Sequence, residues 1–421
     1  MLAAIAKMTP STTSHERLLL DISLFITDHA LAGTDEFEVV LGVCERLAAG
    51  GVPLCRMMVG VDTLHPLVIG RLHTWRREIG IETHQFTREA VASTVSSWAS
   101  SPFHHLYTSG TSLYRFRYPP PDGHYPYVVL EELAALGLTD YVACIQRIGD
   151  GVKLGELDCV YCSWATDGPG GFADADVALF EALGRFLAAS IVSRTVREIA
   201  CTLAETYIGA GAAERVLRGA IARGVADRIR AVVWFSDLKG FTSMVDTIDP
   251  ALVLPLLDAY AEPQVAAIQA HGGTVLKFIG DGLLAIFPVG EDTAEACERA
   301  LAATDAALSA LAELSARRSA TGLPVTGAYF ALHVGDVFYG NIGGADRLDF
   351  TVIGPAVNEA ARISAFCRAL GRDVLVSQAF AAAVSRLEPR LLPMGSHKLR
   401  GVAQPQALFA VIPEPRRRAD A

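Results

Sequence analysis

Two acidic residues stand at breaks in strongly apolar runs. Asp237 closes Ala231-Val-Val-Trp-Phe-Ser-Asp237 and leads into Leu-Lys-Gly-Phe-Thr242. Asp281 interrupts Val275-Leu-Lys-Phe-Ile-Gly-Asp281-Gly-Leu-Leu-Ala-Ile-Phe287. A carboxylate that ends a buried strand is held rigidly beside solvent. Two of them on neighbouring strands can clamp a pair of divalent cations over a phosphate chain. Taken singly, each has a plainer reading: a strand-end Asp caps a helix, and Asp-Gly turns a hairpin. Taken together they point to metal-dependent chemistry on a nucleoside triphosphate. Lys277 lies four residues before Asp281 in the same apolar run and needs a partner or solvent. It could donate to a ring nitrogen of adenine, or snorkel from a strand edge. Asn358 and Arg362, four apart, point the same way on a helix. An amide beside a guanidinium suits a ribose oxygen and a phosphate oxygen, although a solvent-facing polar stripe has the same spacing.

The elements that must position these groups follow from pattern. Ala231–Ser236 reads as a central strand. The segment Asp237 to Thr242 turns into a helix whose backbone N–H groups would face a triphosphate. Pro250 to His271 reads helical, Thr274 to Phe287 is a hairpin tipped by Gly280-Asp281-Gly282, and Ala294 to Arg318 is an alanine-rich helix. Val325 to Val334 is a strand, Pro355 to Leu370 a helix with proline in its first turn. Asp373 to Val376 and Ala407 to Val411 are strands around a last helix. This order predicts an α+β unit with a mostly antiparallel sheet over residues 231–413. Residues 15–198 form a separate unit, preceded by a flexible leader (1–14). Within it lie amphipathic stretches at 16–30 and 37–48 with a new cap at Thr34, strands at 55–61, 141–147 and 155–164, and a turn at Gly149-Asp-Gly151. Tyr118-Pro-Pro-Pro-Asp-Gly-His124 is a loop. A helix capped by Asp174 runs to about Glu198. Residues 199–230 read as a helical connector and 414–421 as a disordered tail.

Composition excludes several functions. The net charge is −10, so there is no basic footprint for nucleic acid. No purely apolar run reaches eighteen residues, and no membrane partner is expected. Eight scattered cysteines suit a reduced, cytoplasmic protein. The single Cys159-x-x-Cys162 reads better as two small buried hydrophobes on a strand than as half of a zinc site. His65, His73, His104 and His105 read as ordinary loop and surface residues rather than haem or metal ligands. Trp75, Trp98 and Trp164 read as core.

The strings Phe235-Ser-Asp-Leu-Lys-Gly-Phe-Thr242, Lys277-Phe-Ile-Gly-Asp-Gly282, His333-Val-Gly-Asp-Val-Phe-Tyr-Gly-Asn-Ile-Gly343 and Phe350-Thr-Val-Ile-Gly-Pro-Ala-Val-Asn-Glu-Ala-Ala-Arg362 together resemble the class III nucleotidyl cyclases over roughly residues 230–412. The resemblance implies a ferredoxin-like βαββαβ catalytic domain. Asp237 and Asp281 would hold two Mg²⁺ or Mn²⁺ ions, helped by the carbonyl of Leu238. Gly240, Phe241 and Thr242 would line the triphosphate. Lys277 and Thr351 would read adenine, Asn358 would orient the ribose, and Arg362 would stabilise the α-phosphate. Arg400, or Lys398 beside it, would bind the terminal phosphates. Guanylyl cyclases of the family carry Glu and Cys where this chain has Lys277 and Thr351, so the implied substrate is ATP, converted to 3′,5′-cyclic AMP and pyrophosphate. The alternatives are a guanylate cyclase or a catalytically silent nucleotide-binding module. One chain holds both metal ligands and base readers in one such domain, so a head-to-tail homodimer is implied. The N-terminal unit resembles an α/β GAF-type sensory domain for an unknown small-molecule or protein signal.

Overall fold

The computed structural model describes residues 13–88, 98–149, 154–155, 157–222, 224, 226–384, 389–400, 402 and 404–412. Residues 1–12 of the leader, most of the 149–151 turn and the tail from 413 on fall outside these. The chain divides into two compact units, Met1–Leu203 and Ala204–Ala421.

The first unit opens with α1 (Ser14–Ala32), so the leader gives way to helix at Ser14. Thr13 makes a reciprocal capping box with Glu16, each side chain accepting from the other's backbone N–H. The helix ends at Gly33 (φ 74°). Asp35, not Thr34, is the cap residue of α2 (Glu36–Ala49). The sheet contains β1 (Arg56–Asp62), β2 (Val68–Arg76), β3 (Gly80–Thr87), β4 (Leu113–Arg117), β5 (Asp140–Arg147) and β6 (Cys159–Thr166). Their order is β3-β2-β1-β6-β5-β4 and every pair is antiparallel. The unit is therefore α+β, which corrects the α/β expectation. Helices α1, α2 and α5 (Asp174–Ile208) cover one face, with the Trp164 ring stacked on Phe180. Helices α3 (Pro102–Ser109) and α4 (Val128–Ala135) cover the other. Asp174 is the first residue inside α5, and it is Asp176 whose Oδ2 accepts the N–H of Ala173. Cys159 and Cys162 are both buried, one in the cluster on each face of the sheet. An odd-even separation on a strand points the two sulfurs apart.

In the second unit, α6 (Ala210–Leu217) is followed by β7 (Ala226–Leu238), so the connector ends in strand rather than helix. Then come α7 (Phe241–Val245), α8 (Val253–Ala270), the hairpin β8 (Thr274–Ile279) and β9 (Gly282–Pro288), α9 (Thr293–Ala320) and β10 (Ala328–Gly343). After β11 (Leu348–Ile353), α10 (Pro355–Leu370), β12 (Val374–Ser377) and α11 (Gln378–Ala383), the strands β13 (Leu391–His397) and β14 (Gln406–Val411) close the chain. The sheet runs β13-β14-β12-β10-β7-β9-β8, with β11 paired to β10. All pairs are antiparallel except β10 with β12.

Alternation along β7 decides where the site faces. Val232, Trp234 and Leu238 pack against α8 and α9, while Ala231 and Val233 join the cluster beneath α10. Asp237 shares the parity of the second set. Pro255 falls in the first turn of α8, where no hydrogen bond is lost; Pro263 lies inside the helix, and nothing in the structure explains it.

Candidate active site

The structure brings the two aspartates together. Register places Ser236 opposite Leu283 and Ile279 opposite Gly282, so Gly280 and Asp281 form a two-residue turn beside the end of β7. Gly280 has φ 63° and Asp281 does not share the positive sign, the II′ pattern that requires glycine first. Gly282 is required by close approach. A Cβ there would lie 2.5 Å from the Ser236 carbonyl oxygen and 3.5 Å from Oδ1 of Asp237. The carboxyl of Asp237 is pushed up to about 6, first by burial and then by the adjacent Asp281 carboxylate and a hydrogen bond to it. Two acids at hydrogen-bond range, half-buried at a strand end, form a site that a cation would relieve of repulsion.

The donor set fits Mg²⁺ or Mn²⁺, which take oxygen ligands. Among the described residues no group of three or more His, Cys, Asp or Glu side chains converges. A pair of carboxylates suits ions that complete their shells with water and substrate phosphates. Leu238 is buried in the core with its backbone opposite Ala328 at the last rung of the β7–β10 ladder. Gly240 has φ 65° and leads into α7, where Phe241 packs on the core and Thr242 is exposed. A cavity of about 200 Å³ adjoins the tip, walled by Leu254, Leu257 and Asp258 of α8 and by Phe278 and Asp281.

A second group gathers at the β10–β11 hairpin. Lys277 does not snorkel freely: its ammonium pairs with Asp349 of β11. Phe350 and Val352 pack in one cluster with Leu276 and Leu284, so the hairpin folds onto the β8–β9 face. Lys277 and the strand carrying Thr351 are thereby neighbours. Thr351 itself is only 3% exposed. Asn358 is exposed and Arg362 half-buried on α10, away from Ala356, Ala360 and Ile363, which anchor the helix. Lys398 and Arg400 are both exposed and flank the buried Leu399. No hydrogen bond or ion pair among the described residues joins the carboxylate pair to Lys277, Thr351, Asn358, Arg362, Lys398 or Arg400.

Sequence reasoning missed Asp349, although it stands two residues from Thr351. It also passed over His333, which is buried with Nδ1 2.8 Å from the Ser377 hydroxyl and Nε2 3.7 Å from Glu359. Burial lowers His333 to about 4 and raises Glu359 above its usual value. With its imidazole uncharged above about pH 4, His333 makes no salt bridge to Glu359. In the first unit His73 is likewise no surface residue. It is buried on β2 between Glu36 and Thr83.

Residues 226–411 match the family model of the adenylate and guanylate cyclase catalytic domain. An adenylate cyclase of Anabaena cylindrica is 34% identical over 155 residues, 37% of this chain and 31% of that protein. Adenylate cyclase 1 of Rhizobium meliloti is 28% identical over 189 residues, 44% of this chain and 28% of that protein. The chain thus spans about a third of the length of these curated relatives. The crystal structure of the adenylyl cyclase CyaB from P. aeruginosa aligns with 24% identity and a TM-score of 0.42, covering 46% of this chain and 98% of that one. The family model and the curated relatives support a class III adenylate/guanylate cyclase catalytic domain in the second unit.

Proposed function

We propose that the second unit is an adenylate cyclase that turns ATP into 3′,5′-cyclic AMP and pyrophosphate in a head-to-tail homodimer, under control of the first unit acting as a GAF-like sensory domain. The observation that carries this reading is the convergence of Asp237 and Asp281 at the end of β7 with the Asp237 carboxyl raised to about 6. Asp237, Asp281 and the Leu238 carbonyl would hold Mg²⁺ or Mn²⁺. Bound there, the cations would acidify the ribose 3′-hydroxyl and neutralise charge on the phosphates. In the proposed roles Arg362 holds an α-phosphate oxygen, Asn358 keeps the ribose in line, and an exposed Arg400 or Lys398 takes the terminal phosphates. Lys277 reads the base after exchanging Asp349 for it, with Thr351 on the adjoining strand. Lys277 in place of an acid favours ATP over GTP. The test is product formation by full-length protein with saturating Mn²⁺ or Mg²⁺ and either nucleotide. Cyclic AMP from ATP, with GTP a poor competitor, supports the proposal. Cyclic GMP as main product moves it to guanylate cyclase. Tight nucleotide binding with no cyclic product moves it to a silent binding module.

A further inference from the structure

A cavity of about 640 Å³ in the first unit opens on the sheet face between β1, β2 and α3. That volume suits a small organic ligand. Its floor follows from alternation along β1. Arg56, Met58, Gly60 and Asp62 all point to this face and all line the cavity. Gly60 lies opposite both Leu72 and Tyr161, and a Cβ there would meet Cδ1 of Leu72 at 3.2 Å. The walls are aromatic. Tyr161 meets Trp98 and Phe103 edge-to-face at ring separations of 5.2 and 5.5 Å. Such rings present faces and edges to a planar apolar body.

The polar groups are unevenly satisfied. Arg71 is paired with Glu36 and Glu198, Asp158 accepts the Tyr107 hydroxyl, and Asp62 takes that of Tyr161 at 3.5 Å. The half-buried Arg56 guanidinium has no carboxylate and no hydrogen-bond acceptor among the described residues. Its surroundings are Tyr141, Tyr118, Cys55 and a second arginine, Arg76, directly opposite on β2. Arg76 has its own partner in Glu82. Like charges facing each other across a strand pair are destabilising. Beside Arg56, the buried Tyr118 hydroxyl also has no partner. Among the described residues, an unpaired cation at one end of an aromatic pocket sets the class of ligand the pocket would take.

We propose that this cavity is a binding site for a small aromatic carboxylate, its rings among Trp98, Phe103 and Tyr161 and its carboxylate on the Arg56 guanidinium. One guanidinium matches a monoanion. A phosphate dianion would leave excess negative charge in an apolar pocket already edged by Asp62 and Asp158. As a control site the proposal rests on the sensory role given above to this unit. As a binding site it does not, and the experiment reads binding alone.

The probe is 1-naphthoate, titrated calorimetrically into full-length protein, with 1-naphthalenemethanol as its neutral counterpart. Saturable binding of the carboxylate, about tenfold tighter than the alcohol, is expected from a charge-assisted pair. Arg56→Met should bring the carboxylate down to the affinity of the alcohol, and Arg56→Lys should restore part of it. Unchanged alcohol affinity in Arg56→Met shows that the pocket is still folded. If Arg56→Met binds naphthoate as the natural protein does, or if the natural protein shows no saturable binding at millimolar concentration, the proposal is overturned. If 1-naphthyl phosphate binds tighter than naphthoate, the carboxylate assignment is wrong.

Discussion

At the scale of single residues, the raised carboxyl of Asp237 has two consequences of opposite sign. The fold binds a proton there more tightly than the unfolded chain does. The stability from this group is therefore present at low pH and is lost as pH climbs through about 6. Above that pH, without a cation, the Asp237–Asp281 pair opposes folding. Asp237→Asn should thus raise the melting temperature of the metal-free protein by about 2–4 °C, the shift expected for about 1 kcal/mol in a domain of this size. The same change should abolish cyclisation, and Mn²⁺ should raise the melting temperature of the natural protein but not of the variant. Differential scanning fluorimetry with and without metal checks this; equal metal protection in the variant would remove Asp237 from the ligand set. His333 works the other way. Its folded value of about 4 lies below the usual 6.5, so the unfolded chain takes up a proton first as pH falls. Stability from this group is full above about 6.5 and declines down to about 4, by on the order of 3 kcal/mol at most. His333→Gln should flatten chemical-denaturation midpoints across that window, and a slope identical to that of the natural protein would contradict the assignment.

At the scale of elements, the site depends on how closely α10 seats on β10. Gly335 lies under the helix, and a Cβ there would meet Cβ of Ala356 at 2.8 Å and Nε2 of His333 at 3.2 Å. Gly335→Ala should lift the helix turn that precedes Asn358 and Arg362. The expected cost is about 1–3 kcal/mol of stability. Turnover should fall more than nucleotide affinity, measured as kcat against KM, because alignment is what the lifted helix loses. Helix α10 was readable in the sequence to the residue because its ends are punctuated, with Pro355 in the first turn and Gly371 beyond the last at φ 60°. The middle of β7, and β9 after the Asp281 turn, were readable because their runs are buried on both faces. What escaped reading lies where burial is one-sided or absent. Strand β3 is largely exposed, and β13 carries a proline, a glycine and a register shift. In the first residues of β7 only Ile229 packs on the apolar cluster, while Ala226, Asp227, Arg228 and Arg230 are exposed. Pairing of Lys277 with Asp349 spans 72 residues and exists only once the β10–β11 hairpin folds onto its neighbours.

At the scale of the whole molecule, the carboxylate pair and the nucleotide-reading residues form two groups that no described hydrogen bond or ion pair joins within one chain. Apolar side chains stand exposed beside both: Phe278 and Ile279 next to the Asp281 turn, and Phe338 opposite Ile353 on the β10–β11 hairpin. The proposed dimer would cover these side chains. In the proposed head-to-tail homodimer, the Asp237 and Asp281 of one copy meet the Lys277, Asn358 and Arg362 of the other, and each dimer has two such sites. Asp237→Ala and Arg362→Ala should then each be inactive alone but complement when mixed. A mixed dimer has one site with both defects and one with neither. Random pairing of equal amounts makes half the dimers mixed, so about one quarter of the natural activity should return. Activity per mole should also fall on dilution below the dimer dissociation constant, while each variant keeps its dimeric mass by analytical ultracentrifugation. Two folded, dimeric variants that recover nothing on mixing would place the metal ligands and nucleotide readers of one site in the same chain.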